Sequence, residues 1–183
     1  MNAPAVIHLN NAPSVVRLAT PDDAKEIWRL LLQSHRENAL FSLAPEKVGW
    51  FLSRVLYPET IADDDTGTRG VIGVIGTPQS LEAMVFLTIG QYWYTNDRHL
   101  EEFIVYTDPE HRRSNHVKAL LQWMKDQVEA LQMPLFTGII SNIRTEAKCR
   151  LYRQMLPKVG EFFCLPPKGS RLSEAQQVHK NKS

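Results

Sequence analysis

Cysteine is nearly absent from this chain of 183 residues. The two present, Cys149 and Cys164, are too few for a disulfide framework and lack any zinc-ligand spacing. They read as small apolar residues of the interior. A charge excess is also lacking: 21 Lys and Arg against 20 Asp and Glu leave a formal net charge of +1. That balance excludes a wholly basic nucleic-acid binder and an acidic disordered chain, although it leaves room for a local basic patch. Long apolar runs are missing as well. A membrane span needs ~20 apolar residues, and the best candidate, Ala83 to Asn96, is shorter and contains Gly90 and Gln91. The first sixteen residues hold no Lys or Arg, so no secretory signal is expected there. Internal repeats and low-complexity blocks do not occur. What remains, 43% hydrophobic and 22% charged, is the composition of one globular domain that buries roughly 70% of its unfolded surface without metals or disulfides. The expectation is a cytoplasmic protein with a lead-in over residues 1–13, a single domain over 14–165 and a polar basic tail over 166–183.

The pattern of residues predicts mixed α and β structure. Ser14 to Ala19 is a β-branched run that reads as a strand. Thr20-Pro21-Asp22-Asp23 carries a capping hydroxyl, a first-turn proline and two acids, which together start a helix. Ala24, Ile27, Trp28 and Leu31 then form one apolar stripe. A second helix begins near Ala44-Pro45-Glu46 and carries Val48, Phe51, Leu52 and Val55. Asp63-Asp64-Asp65-Thr66-Gly67 is a solvated turn, because it lacks the alternating ligands and closing Glu of a calcium loop. Three strands follow in succession, Gly70–Ile75, Met84–Trp93 and Leu100–Thr107, a spacing that predicts an antiparallel meander. Val117, Leu120, Leu121, Met124, Val128 and Leu131 lie at helical spacing and predict the strongest helix, ended by Pro134. Leu135 to Ser141 reads as a strand, which makes a parallel, right-handed βαβ unit. A short helix over Thr145 to Met155 and a last strand over Gly160 to Leu165 complete the domain.

The chemistry concentrates between the third meander strand and the strongest helix, at Thr107-Asp108-Pro109-Glu110-His111-Arg112-Arg113-Ser114-Asn115-His116-Val117. A helix start offers amide donors without intrahelical partners and a partial positive charge, so it favours an anion such as a phosphate. Arg112, Arg113, His116 and Lys118 add cations, and Arg grips phosphate oxygens through its planar fork. A solvated basic helix start is the equally weighted alternative. The spacing is not that of a Walker loop. The six histidines show no metal-ligand spacing, with His111 and His116 five apart across the loop–helix boundary, and no metal is expected.

This segment resembles the acetyl-CoA motif of the GNAT superfamily of N-acetyltransferases, which reads approximately V-x-P-x-x-R-G-x-G-x-G/A-x-x-L-L. Pro109, Arg112, Ala119, Leu120 and Leu121 match it, while Arg113, Asn115 and Val117 stand where the family has small residues. Asn115 tolerates a left-handed backbone and is expected to keep the loop conformation. Val117 is expected either to narrow the approach of the pyrophosphate or simply to pack. The opening VVRLATPDDAKEIWRLL is similar to the first strand and helix of the family. Leu151-Tyr152-Arg153-Gln154-Met155 with Gly160-Glu161-Phe162 is similar to its closing segment, with an insertion at residues 156–159. The position seven residues before the tyrosine, where the family commonly has Asn, is Thr145, with Asn142 three earlier. The resemblance implies an α+β fold: a mixed, mostly antiparallel central sheet flanked by helices, with a βαβ acetyl-CoA motif.

It also implies direct transfer of an acetyl group from acetyl-CoA to an amine. The amides of Val105 or Thr107 would contact the pantetheine or thioester, and those of Arg112, Arg113, Ser114, Asn115, His116 and Val117 would cradle the pyrophosphate. Tyr152 stands where the family's acid stands; a phenol can donate to a sulfur leaving group. Against that role stands a packed tyrosine on a short helix. For the base, strict strand alternation puts Glu101 with Phe103, Val105 and Thr107, and Glu102 with Ile104 and Tyr106. Glu102 is chosen by position, with Glu37 as second candidate. Tyr92, Trp93 and Tyr94 would line an acceptor pocket unless they serve as cross-strand packing. The acceptor is a small-molecule or protein amine, no membrane partner is expected, and a homodimer is a family-level expectation. Two rivals remain: a GNAT-like domain that binds CoA without turnover, motivated by the replaced glycines, and, ranked last, a nucleic-acid binder using Arg112, Arg113, Lys118 and the tail.

Overall fold

The computed structural model describes residues 15–38, 41–57, 70–139 and 144–160. In chain order it contains β1 (Arg17–Leu18), α1 (Ala24–Asn38), α2 (Pro45–Leu56), β2 (Gly70–Thr77), β3 (Ser80–Gln91), β4 (Arg98–Thr107), α3 (His116–Leu131), β5 (Leu135–Phe136) and α4 (Thr145–Met155). The sheet runs β1-β2-β3-β4-β5. Its first four strands are antiparallel, and β5 joins β4 in parallel after the α3 crossover. The meander, the parallel return and the α+β class therefore stand as the sequence predicts. Among the described residues no helix is long and apolar enough to cross a membrane.

The helix start at Thr20 is built as a reciprocal cap. The Thr20 amide donates to Asp23 at 2.8 Å, and Pro21 opens a single 3-10 turn that runs into α1. Asp23 is fully buried and its charge is met by Arg17, whose two nitrogens bind its two oxygens at 2.8 and 2.7 Å. Burial alone would raise the Asp23 pKa, but Arg17 and Thr20 hold it below the usual carboxylate range. Arg17 also donates to the Gly76 carbonyl, so β1, the helix start and the end of β2 are clamped together. At Gly76 φ is +108°, and a Cβ there would sit 2.4 Å from the Ser80 carbonyl oxygen, so only glycine fits this turn.

Strand alternation divides the interior into two layers. On one face Ile72, Val74, Met84, Phe86 and Tyr106 pack with Ile27 and Leu30 of α1 and Leu52 and Leu56 of α2. On the other, Val85, Leu87 and Leu100 pack with Leu120, Leu121 and Met124 of α3, and α4 joins at the margin through Leu151, Tyr152 and Met155. Truncating Leu120 or Leu121, both with no exposed surface, to alanine would cost about 2–5 kcal/mol. The predicted α3 stripe emerges from the core at its last turn, where Leu131 is 39% exposed.

One irregularity interrupts the pairing of β3 with β4. From Ala83↔Thr107 to Phe86↔Ile104 the β3–β4 register is regular, and then Leu87 pairs with Glu102, which leaves Phe103 as an extra residue on β4. A bulge of this kind breaks the period of two and re-aims side chains. Antiparallel partners share a face, so Glu102 lies with Leu87 and Val105 on the α3–α4 face. Glu101, paired with Thr88, lies on the α1–α2 face. The predicted grouping of Glu101 with Val105 and Thr107, and of Glu102 with Ile104 and Tyr106, is thereby reversed, because strict alternation cannot anticipate an inserted residue.

Other boundaries shift too. The second meander strand ends at Gln91, leaving Tyr92, Trp93 and Tyr94 in the turn rather than on the strand. Among the described residues of the strand predicted over Leu135 to Ser141, pairing occurs at Leu100↔Leu135 and Glu101↔Phe136, after which residues 137–139 separate from β4. The lead-in, the triple-Asp turn, Asn142, Cys164, the last strand beyond Gly160 and the tail lie outside the described residues.

Candidate active site

The separation of β4 from the chain after β5 opens a cleft at the sheet edge. A cavity of about 860 Å³ lies there, lined from α1 and α2, from β4 residues Glu101 to Val105, from residues 136–139 and from Lys148 and Tyr152 of α4. A second cavity of about 230 Å³ adjoins it, lined by Glu37, Tyr106, Thr107, Arg112, Ser114, Val117 and Arg144 among others. Val105, Lys148 and Tyr152 line both. The two spaces therefore meet at the unpaired part of β4.

At that meeting point the structure brings together Glu102 and Tyr152. The Tyr152 hydroxyl donates to Glu102 Oε2 at 3.2 Å, and the Thr137 hydroxyl donates to the same oxygen. Burial pushes the Glu102 carboxyl up to about 6, against the opposing hydrogen bonds from Thr137, Tyr152 and the Val105 amide. Burial, followed by the neighbouring Glu102 charge, raises the Tyr152 phenol well above its ordinary value. The pair thus holds a carboxylate that titrates close to neutrality beside a phenol that keeps its proton, an arrangement suited to general base and general acid. Glu101, on the opposite face, has its Oε1 2.8 Å from Nε2 of the buried His99. That imidazole stacks on Tyr92, ring centroids 4.6 Å apart, and meets the edge of Phe136.

The loop before α3 is braced from within. Asp108 caps the turn by accepting from the Glu110 amide, and Arg29 of α1 binds it at 2.5 Å. Burial would raise the Asp108 carboxyl, but Arg29 and the Glu110 amide bring it below the usual range. Arg112 is not aimed outward: its guanidinium binds both oxygens of Glu37 at 2.6 and 2.5 Å and reaches the Tyr106 hydroxyl at 3.3 Å. Glu37, the second candidate base, is thereby committed to an ion pair at the end of α1. Burial and Glu37 together raise the Tyr106 phenol. Ser114 donates to the His111 carbonyl and accepts from the His116 amide. Asn115 caps α3 at φ −90°, ψ 13°, so the left-handed backbone expected at this residue is not adopted. The loop closes as a right-handed turn, a conformation that the non-glycine residues 113 and 115 tolerate. Val117 is half-buried, packs on the α3-side core and lines the smaller cavity. Arg113 and Lys118 are exposed, and neither has an ion-pair partner among the described residues. Thr107 is 7% exposed, lines the smaller cavity, and its Oγ1 has no hydrogen-bond partner among the described residues.

Histidines scattered in sequence gather in space. His116 Nε2 lies 2.7 Å and His111 Nδ1 3.4 Å from Glu82 Oε2, and the ligand atoms of the three residues lie within 4.8 Å of one another. Here they tie the start of α3 to β3. Tyr92 lines the large cavity, whereas Trp93, 94% exposed, and Tyr94 do not. Cys149 is a half-buried free thiol. Sequence reading missed Thr137, Lys148, His99 and Phe103. Thr137 follows β5 where pairing with β4 ends, Lys148 comes from α4, His99 packs on the cavity-lining Tyr92 and Phe136, and Phe103 is set by the bulge. None of these is encoded by local periodicity.

No family model matches the sequence, and no curated protein matches it. Solved structures do resemble the fold. A ribosomal-protein-alanine N-acetyltransferase from Brucella melitensis biovar Abortus 2308 superposes with a TM-score of 0.58 at 16% identity, covering 85% of this chain and 99% of its own. An aminoglycoside acetyltransferase from an uncultured soil metagenomic sample gives 0.59 at 12% identity, over 87% and 99% of the two chains. AAC(6')-Iy, solved in complex with the bisubstrate analog CoA-S-monomethyl-acetylneamine, gives 0.61 at 9% identity, over 86% and 99%. The order of elements, the bulged β4, the parallel return of β5 and these neighbours agree: the chain adopts the fold of the GNAT-type N-acetyltransferases.

Proposed function

We propose that the protein transfers an acetyl group from acetyl-CoA to a primary amine, with Tyr152 and Glu102 moving the protons. The observation that carries this reading is the 3.2 Å hydrogen bond from Tyr152 to Glu102 where the two cavities meet. The residues of the smaller cavity fit acetyl-CoA: Thr107, whose buried hydroxyl has no partner among the described residues, lines it beside the donor-rich start of α3. When bound, acetyl-CoA supplies the activated acetyl thioester. The amides of Val105 and Thr107 would border its thioester and pantetheine end, and those of Arg112 through Val117 its diphosphate. Arg113 and Lys118 add the cationic charge that Arg112, tied to Glu37, does not.

Glu102 accepts a proton from the attacking amine as the new C–N bond forms. Tyr152 gives its proton to the departing sulfur as the C–S bond breaks. The hydrogen bond between the two side chains then returns the proton from Glu102 to Tyr152, so the pair ends as it began. Release of free thiol from acetyl-CoA in the presence of an amine tests this directly. Tyr152→Phe should lower kcat about 100-fold while acetyl-CoA affinity stays within threefold. Equal rates in the two proteins would contradict the role of Tyr152. Saturable acetyl-CoA binding without thiol release in the native protein would favour a CoA-binding domain without turnover.

A further inference from the structure

The lining of the larger cavity carries a statement about the acceptor, and it rests on the acetyl-transfer reading above. We infer that the acceptor is a monoamine bearing an aromatic group, not a polycation. The bulge in β4 turns Phe103 outward, 48% exposed, into this cavity. Phe51 meets it edge-on with ring centroids 5.6 Å apart, and Phe86 lies tilted at 5.6 Å. Phe41, Tyr92 and Phe136 line the same space. A volume of about 860 Å³ suits a small molecule, and rings packed at such angles leave faces and edges to receive another ring.

The charges point the same way. Among the described residues that line the cavity, Glu101 and Glu102 are the acids, and Lys47, Lys148 and His35 the basic groups. Both carboxylates are already engaged, Glu101 by His99 and Glu102 by Thr137 and Tyr152. An acceptor with several ammonium groups would bring them against Lys47 with no surplus of carboxylate to receive them, and like charges repel strongly at partly enclosed sites. A single amine needs only one such partner, and Glu102 stands at the end of the cavity where Tyr152 sits.

The probes are 2-phenylethylamine and spermidine, each with acetyl-CoA and the full-length protein, read as thiol release and acetylated product. The expected result is a kcat/KM for 2-phenylethylamine at least ~10-fold above that for spermidine, consistent with the value of an apolar pocket contact. Phe103→Ala, at a half-exposed position that tolerates truncation, should raise the KM for 2-phenylethylamine about 5–10-fold and leave the affinity for acetyl-CoA unaltered. Lys47→Glu, on the exposed side of α2, should shift the ratio towards spermidine. Equal or better turnover of spermidine by the native protein, or an unchanged KM in Phe103→Ala, would overturn the inference. So would acetyl-CoA binding with neither amine acetylated, an outcome that leaves the acetyl-transfer reading standing. Failure to bind acetyl-CoA at all would instead remove the reading on which the inference rests.

Discussion

The two cavities share Val105, Lys148 and Tyr152, yet the rest of their walls comes from different elements. The larger one is walled by aromatic rings from α2, β3 and β4 and opens on the α1–α2 face. The smaller one is walled by the loop before α3 and carries ion-paired and hydrogen-bonded polar groups. Glu101 and Glu102, adjacent in sequence, both line the larger cavity, although the pleat sends them to opposite faces of β4. The two spaces thus have different walls, and the edge of β4 that parts from its neighbour lies between them. Glu102 and Tyr152, the groups proposed to move protons, meet at that edge.

The largest expected effect breaks the comparison at its hinge. Glu102→Gln keeps the shape and removes the proton acceptor, and should lower kcat about 100-fold. The native rate should rise with pH through about 6, following ionisation of Glu102, and level off above it. The variant should lack that limb, as a pH–rate profile would record.

A smaller effect separates the site from the fold. Folding raises Glu102 from the ordinary 4.5 to about 6, so the native state holds this proton more tightly than the unfolded chain. Its contribution is fully present below pH 4.5 and is lost as pH rises through about 6, an upper bound of about 2 kcal/mol. Denaturant titrations at pH 5 and pH 8 should show that loss in the native protein and not in Glu102→Gln. Asp23 and Asp108, held low by Arg17 and Arg29, act with the opposite sign and only in more acid solution.

On the polar side, combining Arg113→Ala with Lys118→Ala should weaken acetyl-CoA about 10-fold at low salt, and the difference should shrink as salt screens it. Trp93, exposed at the hairpin and outside both cavities, marks the limit of the aromatic wall. Trp93→Ala should leave amine KM and acetyl-CoA affinity within twofold of the native values.

Much of this fold is legible in the sequence because its signals are local. The Thr20-Pro21 start, the α3 stripe and the close spacing of the meander strands are each local signals, and α4 spans Thr145–Met155 as expected. The site is legible only in part. Tyr152 and Glu102 can be picked out, but their contact depends on the bulge at Phe103, and the argument from strict alternation assigns Glu102 to the wrong face. The ion pair of Arg112 with Glu37, 75 residues away, is invisible to any local pattern. Thr137 enters the site where the chain after β5 stops pairing with β4, and Lys148 enters it from α4, both by tertiary packing that no periodicity records. The Glu82, His111 and His116 group is hidden for the same reason: its members come from β3, the loop and α3.

The most direct measurement is calorimetric titration of the purified protein with acetyl-CoA, with CoA and ATP as controls. Saturable binding of acetyl-CoA in the micromolar range, not shared by ATP, is the predicted result. No binding of acetyl-CoA, or equal binding of ATP, would contradict the account, because the smaller cavity would then be a braced loop and not the seat of an acetyl donor.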